Sequence, residues 1–133
     1  MRYLIVVVSL IGLISAAPVT VQKNIKIERP WVHATNGSKA VLHITIANTH
    51  GKADRLVRVS TPVAAKVAIF DQVGTEGGGL QIPGRAEFVL GSDFPRIELN
   101  ELTKTLQAST SFDLLLVFDQ AGKVGVSVLV EAE

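Results

Sequence analysis

Apolar residues after Val19 occur in short runs that are rich in β-branched side chains. The final run has one residue between successive valines, at Val124, Val126, Val128 and Val130. This period of two is that of a strand with one buried face. Apart from one helical turn predicted around residues 100–106, no window has the period of a helix, and the pattern predicts an all-β domain. The other predicted strands are residues 41–46, 56–59, 67–70, 88–90, 97–99 and 112–118.

Turn-forming residues separate these runs at short, fairly even intervals. They are Asn36-Gly37, Gly77-Gly78-Gly79, Pro83-Gly84, Gly91-Ser92-Asp93 and Ala121-Gly122. Such spacing is typical of a β-sandwich or barrel, and the chain contains no internal repeat or linker. We therefore expect a single Ig-like, Greek-key β-sandwich of about eight or nine strands.

The first residues have the features of a secretory signal peptide. Arg2 precedes an apolar run from Leu4 to Ile14, and small residues follow at 15–17. An uncleaved membrane anchor is the alternative, but the run is shorter than the roughly 20 apolar residues that a spanning helix needs. We expect a signal peptide at residues 1–17, a domain at residues 18–133, and a periplasmic or secreted protein with no membrane segment after cleavage. Cleavage after Ala16 would avoid leaving Pro18 at the new N-terminus.

Composition excludes several classes of partner and site. Without Arg2, twelve basic residues are balanced by twelve acidic ones, so the domain lacks the positive charge that nucleic acids and anionic lipids attract. The chain has no cysteine, and Met1 is its one methionine. Residues 18–133 therefore contain no sulfur, and they offer neither thiolate nor thioether ligands.

No arrangement of residues indicates an enzyme. The serines lie outside any G-x-S-x-G motif, and the glycines at 77–79 lack the helix and lysine of a phosphate-binding loop. The aspartates mostly follow strands, where short acidic side chains commonly bind turn backbone. We expect no catalytic residue, no cofactor-binding residue and no enzymatic activity.

Three histidines are the candidate metal ligands, and none has the spacing of a known metal motif. His33 follows Trp31 by two residues, so both side chains lie on one strand face. His43 lies within a predicted strand, where a packing role is the simpler interpretation. His50 lies in a turn and is expected to be solvated.

Several segments resemble the periplasmic copper chaperones of the PCu(A)C family. The most specific is Asn48 to Val57, read as N-T-H-G-K-A-D-R-L-V, and it continues as S-T-P-V-A-A-K-V from Ser60. Residues 29–35, 80–83 and 118–124 are also similar to that family. The resemblance covers nearly all of residues 18–133. It implies an exported, cupredoxin-like β-sandwich of a kind that typically carries Cu(I) toward cytochrome oxidase assembly.

The sequence departs from the family at its copper ligands. By the resemblance, Phe70 and Gln72 replace the histidine and methionine of the first ligand pair, and Arg96 and Glu98 replace those of the second. Cu(I) prefers soft sulfur and imidazole ligands, whereas phenylalanine has no donor and arginine is a permanent cation. We expect these four positions to hold no metal. Copper is implied only by the resemblance to the family. We also expect Arg96 and Glu98 to form an exposed ion pair.

These observations favour a protein that has lost Cu(I) binding and that binds an exported partner as an accessory module, in copper or cytochrome oxidase assembly. One alternative is a copper or zinc protein with a non-standard site of carboxylates and at least two of His33, His43 and His50. Another is a diverged relative with little remaining activity.

Overall fold

A computed structural model describes residues 19–132, so the predicted signal peptide at residues 1–17 lies outside the described part of the chain. Ten strands form within residues 19–132, and no helix there could cross a membrane. The strands are β1 Val19–Gln22, β2 Ile25–His33, β3 Lys39–Asn48, β4 Asp54–Ser60, β5 Ala64–Phe70, β6 Leu80–Ile82, β7 Glu87–Leu90, β8 Arg96–Leu102, β9 Ser111–Phe118 and β10 Gly122–Glu131.

The strands form one strongly curved sheet in the order β5-β8-β3-β2-β10-β9-β4-β6. In addition, β1 pairs with β2 and β7 pairs with β3. β4 also lies against β5, so the two ends of the sheet approach each other and enclose one core. The pair β2 and β10 is parallel, whereas the other strand pairs are antiparallel. The all-β prediction is confirmed, with a nearly closed, barrel-like arrangement of the sheet.

The core is built from the inward-facing residues of most strands. The alternating valines of β10 are all at least nine-tenths buried, as their period of two predicts. Leu42, Ile44 and Ile46 alternate in the same way along β3, and Phe118 is the bulkiest of the fully buried side chains. These strands fix the inner face of the sheet, so the residues between their buried positions lie on its outer face.

Two details of the predicted strands are wrong. The sequence indicated eight or nine strands, but β1 and β6 are additional short strands of four and three residues. The predicted helical turn at residues 100–106 does not form, because β8 continues to Leu102 and Leu106 instead pairs with Thr35 through two backbone hydrogen bonds of 2.9 and 3.0 Å. The spacing of four between Leu102 and Leu106 resembles one helical turn, although here it joins a strand end to an isolated bridge.

The segment that resembles the chaperone signature stabilises the fold through the hydrogen bonds of Asn48 and Asp54. Asn48 is buried; its Oδ1 accepts a hydrogen bond from the backbone N–H of His50 (3.0 Å), and its Nδ2 donates one to the carbonyl of Lys52 (2.8 Å). Asp54 is also buried, and its carboxylate accepts hydrogen bonds from the backbone N–H groups of Gln120 (2.8 Å) and Ala121 (3.0 Å). These two side chains fix the loop before β4 and attach it to the turn between β9 and β10.

Candidate functional site

Antiparallel pairing of β5 with β8 brings three of the four predicted ligand positions together. Phe70 is opposite Arg96, and Ala68 is opposite Glu98. Arg96 and Glu98 are two residues apart on β8, so their side chains lie on the same, outer face of the sheet. Phe94 precedes β8. We call the four residues Phe70, Phe94, Arg96 and Glu98 the arginine cluster.

The guanidinium group of Arg96 is held on several sides. Its Nε lies 2.9 Å from Oε2 of Glu98, and its Nη1 donates a hydrogen bond of 2.8 Å to the carbonyl of Ser92. Its Cζ lies 4.5 Å from the ring centroid of Phe94 and 5.4 Å from that of Phe70. These distances are those of cation–π contacts, so a fixed positive charge occupies the middle of the arginine cluster.

The prediction that Arg96 and Glu98 form an exposed ion pair is wrong about exposure. Glu98 is only 8% exposed, because it lies between Val41 of β3 and Ala68 of β5. The Nε hydrogen of Arg96 does not point at the carboxylate, so the attraction is mainly between the two charges. Lys39 adds a second cation, with Nζ 3.6 Å from Oε1 of Glu98. The positive charges of Arg96 and Lys39 offset the negative charge of the Glu98 carboxylate, so the carboxylate attracts a metal ion only weakly.

Gln72 does not join the arginine cluster. It is exposed in the turn that follows β5, and among residues 19–132 no hydrogen bond or ion pair connects it to Phe70, Arg96 or Glu98. Asp71 organises this turn, since its Oδ1 accepts hydrogen bonds from the backbone N–H groups of residues 73 and 75, at 3.0 and 2.9 Å.

A second cluster forms on the outer face of β2 and β3 because β2 contains a bulge. Before the bulge, Ile25 and Ile27 point into the core; after it, Val32 does so. The register shift between Glu28 and Trp31 therefore changes which residues face outward. It places Trp31 and His33 on the outer face, where Trp31 is directly opposite His43 of β3.

Trp31, His33 and His43 form what we call the histidine cluster. The imidazole of His43 stacks on the indole of Trp31, with centroids 4.0 Å apart and planes 11° apart. The imidazole of His33 lies edge-on to the same indole at 4.8 Å, and the two imidazole centroids are 5.7 Å apart. Trp31 thus holds two histidines next to each other.

The surroundings of His43 disfavour its protonated form. Burial lowers the pKa of His43 below its ordinary value of 6.5, the nearby His33 lowers it further, and the negative charge of Glu131 partly opposes both effects. Glu131 is opposite His33 in the parallel pairing of β10 with β2. Gly91 gives the ring of His43 room, since a Cβ at Gly91 would lie only 3.0 Å from Nδ1 of His43.

His50 lies away from the other two histidines. It is exposed beyond the end of β3, and its Nδ1 accepts a hydrogen bond from the backbone N–H of Lys52 at 3.1 Å. Five residues of extended strand, about 17 Å, separate His43 from Asn48, after which the loop with His50 begins. Across residues 19–132, no three histidine, aspartate or glutamate side chains come close enough to form a complete metal site.

Sequence reasoning did not identify Phe94 and Glu131 as members of these clusters. Phe94 is an isolated aromatic residue in a loop that contains glycine and serine, so the sequence gives no signal for it. Its 45% exposure, seen only in the fold, identifies it as an exposed aromatic side chain. Glu131 follows directly after the alternating valines of β10, so its outward direction could be inferred, but its neighbour on β2 could not.

The comparisons with known proteins agree on fold and family. Residues 25–130 match the family model LpqE-like, whose description is "Putative lipoprotein LpqE-like". The chain belongs to the LpqE-like family. No curated protein sequence matches this LpqE-like protein.

Solved structures similar to the LpqE-like protein include PCuAC domains. The copper-bound PCuAC domain from PmoF2 is 24% identical with a TM-score of 0.77, and the alignment covers 87% of this chain and 99% of that one. The apo PCuAC domain from PmoF1 is 21% identical with a TM-score of 0.80, over 87% and 100% of the two chains. The Cu(I) form of DR1885 from Deinococcus radiodurans is 23% identical with a TM-score of 0.70, over 87% and 80%. The expected PCu(A)C-type fold is confirmed.

Proposed function

We propose that this LpqE-like protein is an exported, non-enzymatic accessory module that binds another protein and carries no Cu(I) at the four positions inferred from the chaperone family. The observation that carries the proposal is the guanidinium group of Arg96, which lies against the rings of both Phe70 and Phe94 and next to the buried carboxylate of Glu98. A metal ion there would have to displace a cation that is already paired.

The chemistry of the domain supports the same proposal. Cu(I) is a soft ion that proteins bind mainly through thiolate, thioether and imidazole groups. Residues 18–133 contain no sulfur, and the arginine cluster contains no imidazole. PmoF2 and DR1885 are named as copper-bound proteins, so a similar fold can hold copper when it carries suitable ligands.

The partner-binding surface that we propose surrounds Arg96. Phe94 is 45% exposed and Val73 is 83% exposed, and Gly74, next to Val73, lies against the ring of Phe94. Exposed aromatic and apolar side chains around an arginine are typical of the energetically important centre of protein–protein interfaces. Copper delivery or cytochrome oxidase assembly is the proposed setting, by resemblance to the chaperone family.

Export is supported by the predicted signal peptide at residues 1–17 and by the word lipoprotein in the family description. The lipid of a bacterial lipoprotein is attached to a cysteine, and the 133 residues of this chain contain none. We therefore propose that the exported domain acts without a lipid on any of these residues.

Competition for Cu(I) tests the metal part of the proposal. The purified protein and a coloured Cu(I) chelator are mixed in the presence of reductant, and the expected result is that all copper stays with the chelator. A matched variant carries Phe70→His, Gln72→Met, Arg96→His and Glu98→Met, which restores the ligand types of the family, and it is expected to withdraw copper. Stoichiometric, sub-micromolar Cu(I) binding that persists when His33 and His43 are both replaced by alanine would overturn the proposal.

Site-specific crosslinking tests the protein-binding part. A photoreactive amino acid at position 94 is expected to crosslink to a discrete exported protein in intact cells, and the adduct should be lost when Arg96→Ala is added. The same amino acid at Val21 of β1, which is 64% exposed, serves as the control position. Equal crosslinking from both positions, or none from position 94, would contradict a partner-binding surface around Arg96.

A further inference from the structure

We propose that His33 and His43 together bind one divalent ion of borderline softness, Cu²⁺ or Zn²⁺, on the outer face of β2 and β3. This histidine-cluster site shares no residue with the arginine cluster, so it goes beyond the accessory role proposed above. Its two ligands come from neighbouring strands and are brought together by the bulge in β2.

The distance between the two imidazoles suits a shared ion. A metal ion lies about 2.0–2.1 Å from a histidine nitrogen, so two imidazoles on one ion have ring centroids up to roughly 6 Å apart. The observed separation between the His33 and His43 centroids is 5.7 Å, with the ring planes at 83°. His33 is exposed, so its side chain is free to turn a ring nitrogen toward such an ion.

His43 is already fixed in position for this role. Its ring stacks on Trp31, and the missing side chain of Gly91 leaves room beside its Nδ1. Among residues 19–132, neither the His33 nor the His43 imidazole makes a hydrogen bond, so none in that range has to be broken when an ion binds. A ligand held in place before binding loses less side-chain entropy when the ion arrives.

The type of ion follows from the donors present. Imidazole suits Cu²⁺, Zn²⁺ and Ni²⁺, and Cu²⁺ is the tightest-bound of the first-row divalent ions at a given nitrogen site. Glu131, opposite His33, supplies a negative charge that favours a cation at this place. Two protein ligands leave coordination positions for water or for a ligand from another molecule, so the site would be open.

Trp31 gives this proposal a direct readout, because it is the one tryptophan in the chain. Its indole touches both imidazoles, and a bound Cu²⁺ ion quenches a nearby tryptophan strongly. The experiment titrates CuCl₂ into the protein at neutral pH and follows Trp31 fluorescence. Four proteins are compared: the natural sequence, His33→Ala, His43→Ala and His50→Ala, the last being the matched control from the distant loop.

The expected result is saturable 1:1 quenching in the natural sequence and in His50→Ala, with loss of the saturable phase in His33→Ala and His43→Ala. His33 is exposed, so His33→Ala keeps the proposal testable if His43→Ala fails to fold. In a second measurement, ZnCl₂ should shift the imidazole NMR signals of His33 and His43 together and leave those of His50 unchanged. Unchanged quenching in folded His33→Ala, or a zinc shift confined to His50, would overturn the proposal.

Discussion

The carboxylate of Asp54 accepts a hydrogen bond from the backbone N–H of Ala121, 3.0 Å away and 67 residues later in the chain. The same carboxylate accepts hydrogen bonds from Arg55 and Gln120, so one buried side chain satisfies three backbone donors. A residue of the segment that most resembles the chaperone family therefore joins the start of β4 to the turn between β9 and β10. Its role is in folding, and it touches neither the arginine cluster nor the histidine cluster.

Replacing Asp54 should destabilise the domain. Asp54→Ala leaves the N–H groups of Gln120 and Ala121 without an acceptor, and we expect a loss of about 3 kcal/mol in the free energy of unfolding. Asp54→Asn keeps one acceptor oxygen and should lose roughly half as much. Urea unfolding followed by Trp31 fluorescence measures both values, and an unaltered midpoint for Asp54→Ala would refute this structural role.

The buried ion pair of the arginine cluster should show measurable coupling. A double-mutant cycle with Arg96→Gln and Glu98→Gln is expected to give about 1–2 kcal/mol, because Glu98 has little access to water. The pair Lys66–Glu101, with its atoms 3.3 Å apart and side chains 74% and 59% exposed, is the control and should give close to 0 kcal/mol. Equal coupling energies for the two pairs would mean that burial does not strengthen the Arg96–Glu98 contact.

Glycine is required more strictly at Gly79 than at Gly122. Both have positive φ angles, of 74° and 81°, so alanine at either position should cost about 1 kcal/mol in backbone strain. A Cβ at Gly79 would also collide with the carbonyl oxygen of Leu56, whereas nothing lies within 4 Å of one at Gly122. We expect Gly79→Ala to be at least about 2 kcal/mol less stable than Gly122→Ala in thermal or urea unfolding. Similar losses would argue against the close approach of Gly79 to β4.

Acidification should weaken the metal-free domain through His43. Its pKa is lowered in the folded state by burial and by His33 from β2, with Glu131 from β10 acting in the opposite direction, while Gly91, which follows β7 and lies next to the ring, adds no charge. The unfolded chain therefore takes up a proton at His43 more readily than the folded chain does. The stabilisation that His43 contributes to the fold is fully present above its ordinary pKa of 6.5, and it is lost as the pH falls through the lowered pKa of the folded state.

Unfolding free energies measured in EDTA at about pH 7.5 and about pH 5 test this pH dependence. The loss on acidification should be smaller in His43→Phe, which keeps an aromatic ring on Trp31, and unchanged in His50→Ala. An identical pH profile for His43→Phe and the natural sequence would show that His43 does not contribute.

The sequence predicted the fold well where the pattern is local. The valines of β10 alternate with a period of two, and each is buried as expected. The turns around Gly84 and Gly122 lie between strands as their residues indicate. Two short strands, β1 and β6, escaped detection because three or four residues give too little alternation to distinguish a strand from a loop.

The candidate sites were less predictable because they depend on pairing between distant residues. Trp31 stacks on His43 only because the bulge in β2 changes the outward-facing residues, and neither the bulge nor the register of β2 against β3 is evident from either segment alone. Glu98 is buried for a similar reason, since β3 and β5 flank it on both sides. An isolated view of β8 shows an ion pair two residues apart but not how far water is excluded from it.

The position of β10 has a consequence for biosynthesis. This strand lies in the middle of the sheet, between β9 and β2, although it is the last to be synthesised of the ten described. A ribosome-bound chain that lacks residues 122–131 has unpaired backbone along β9 and at residues 31–33 of β2, and such edges readily pair with other chains. The pairs that β10 makes with β9 and β2 form only after residues 122–131 have been made, so the middle of the sheet is completed last during synthesis of these ten strands.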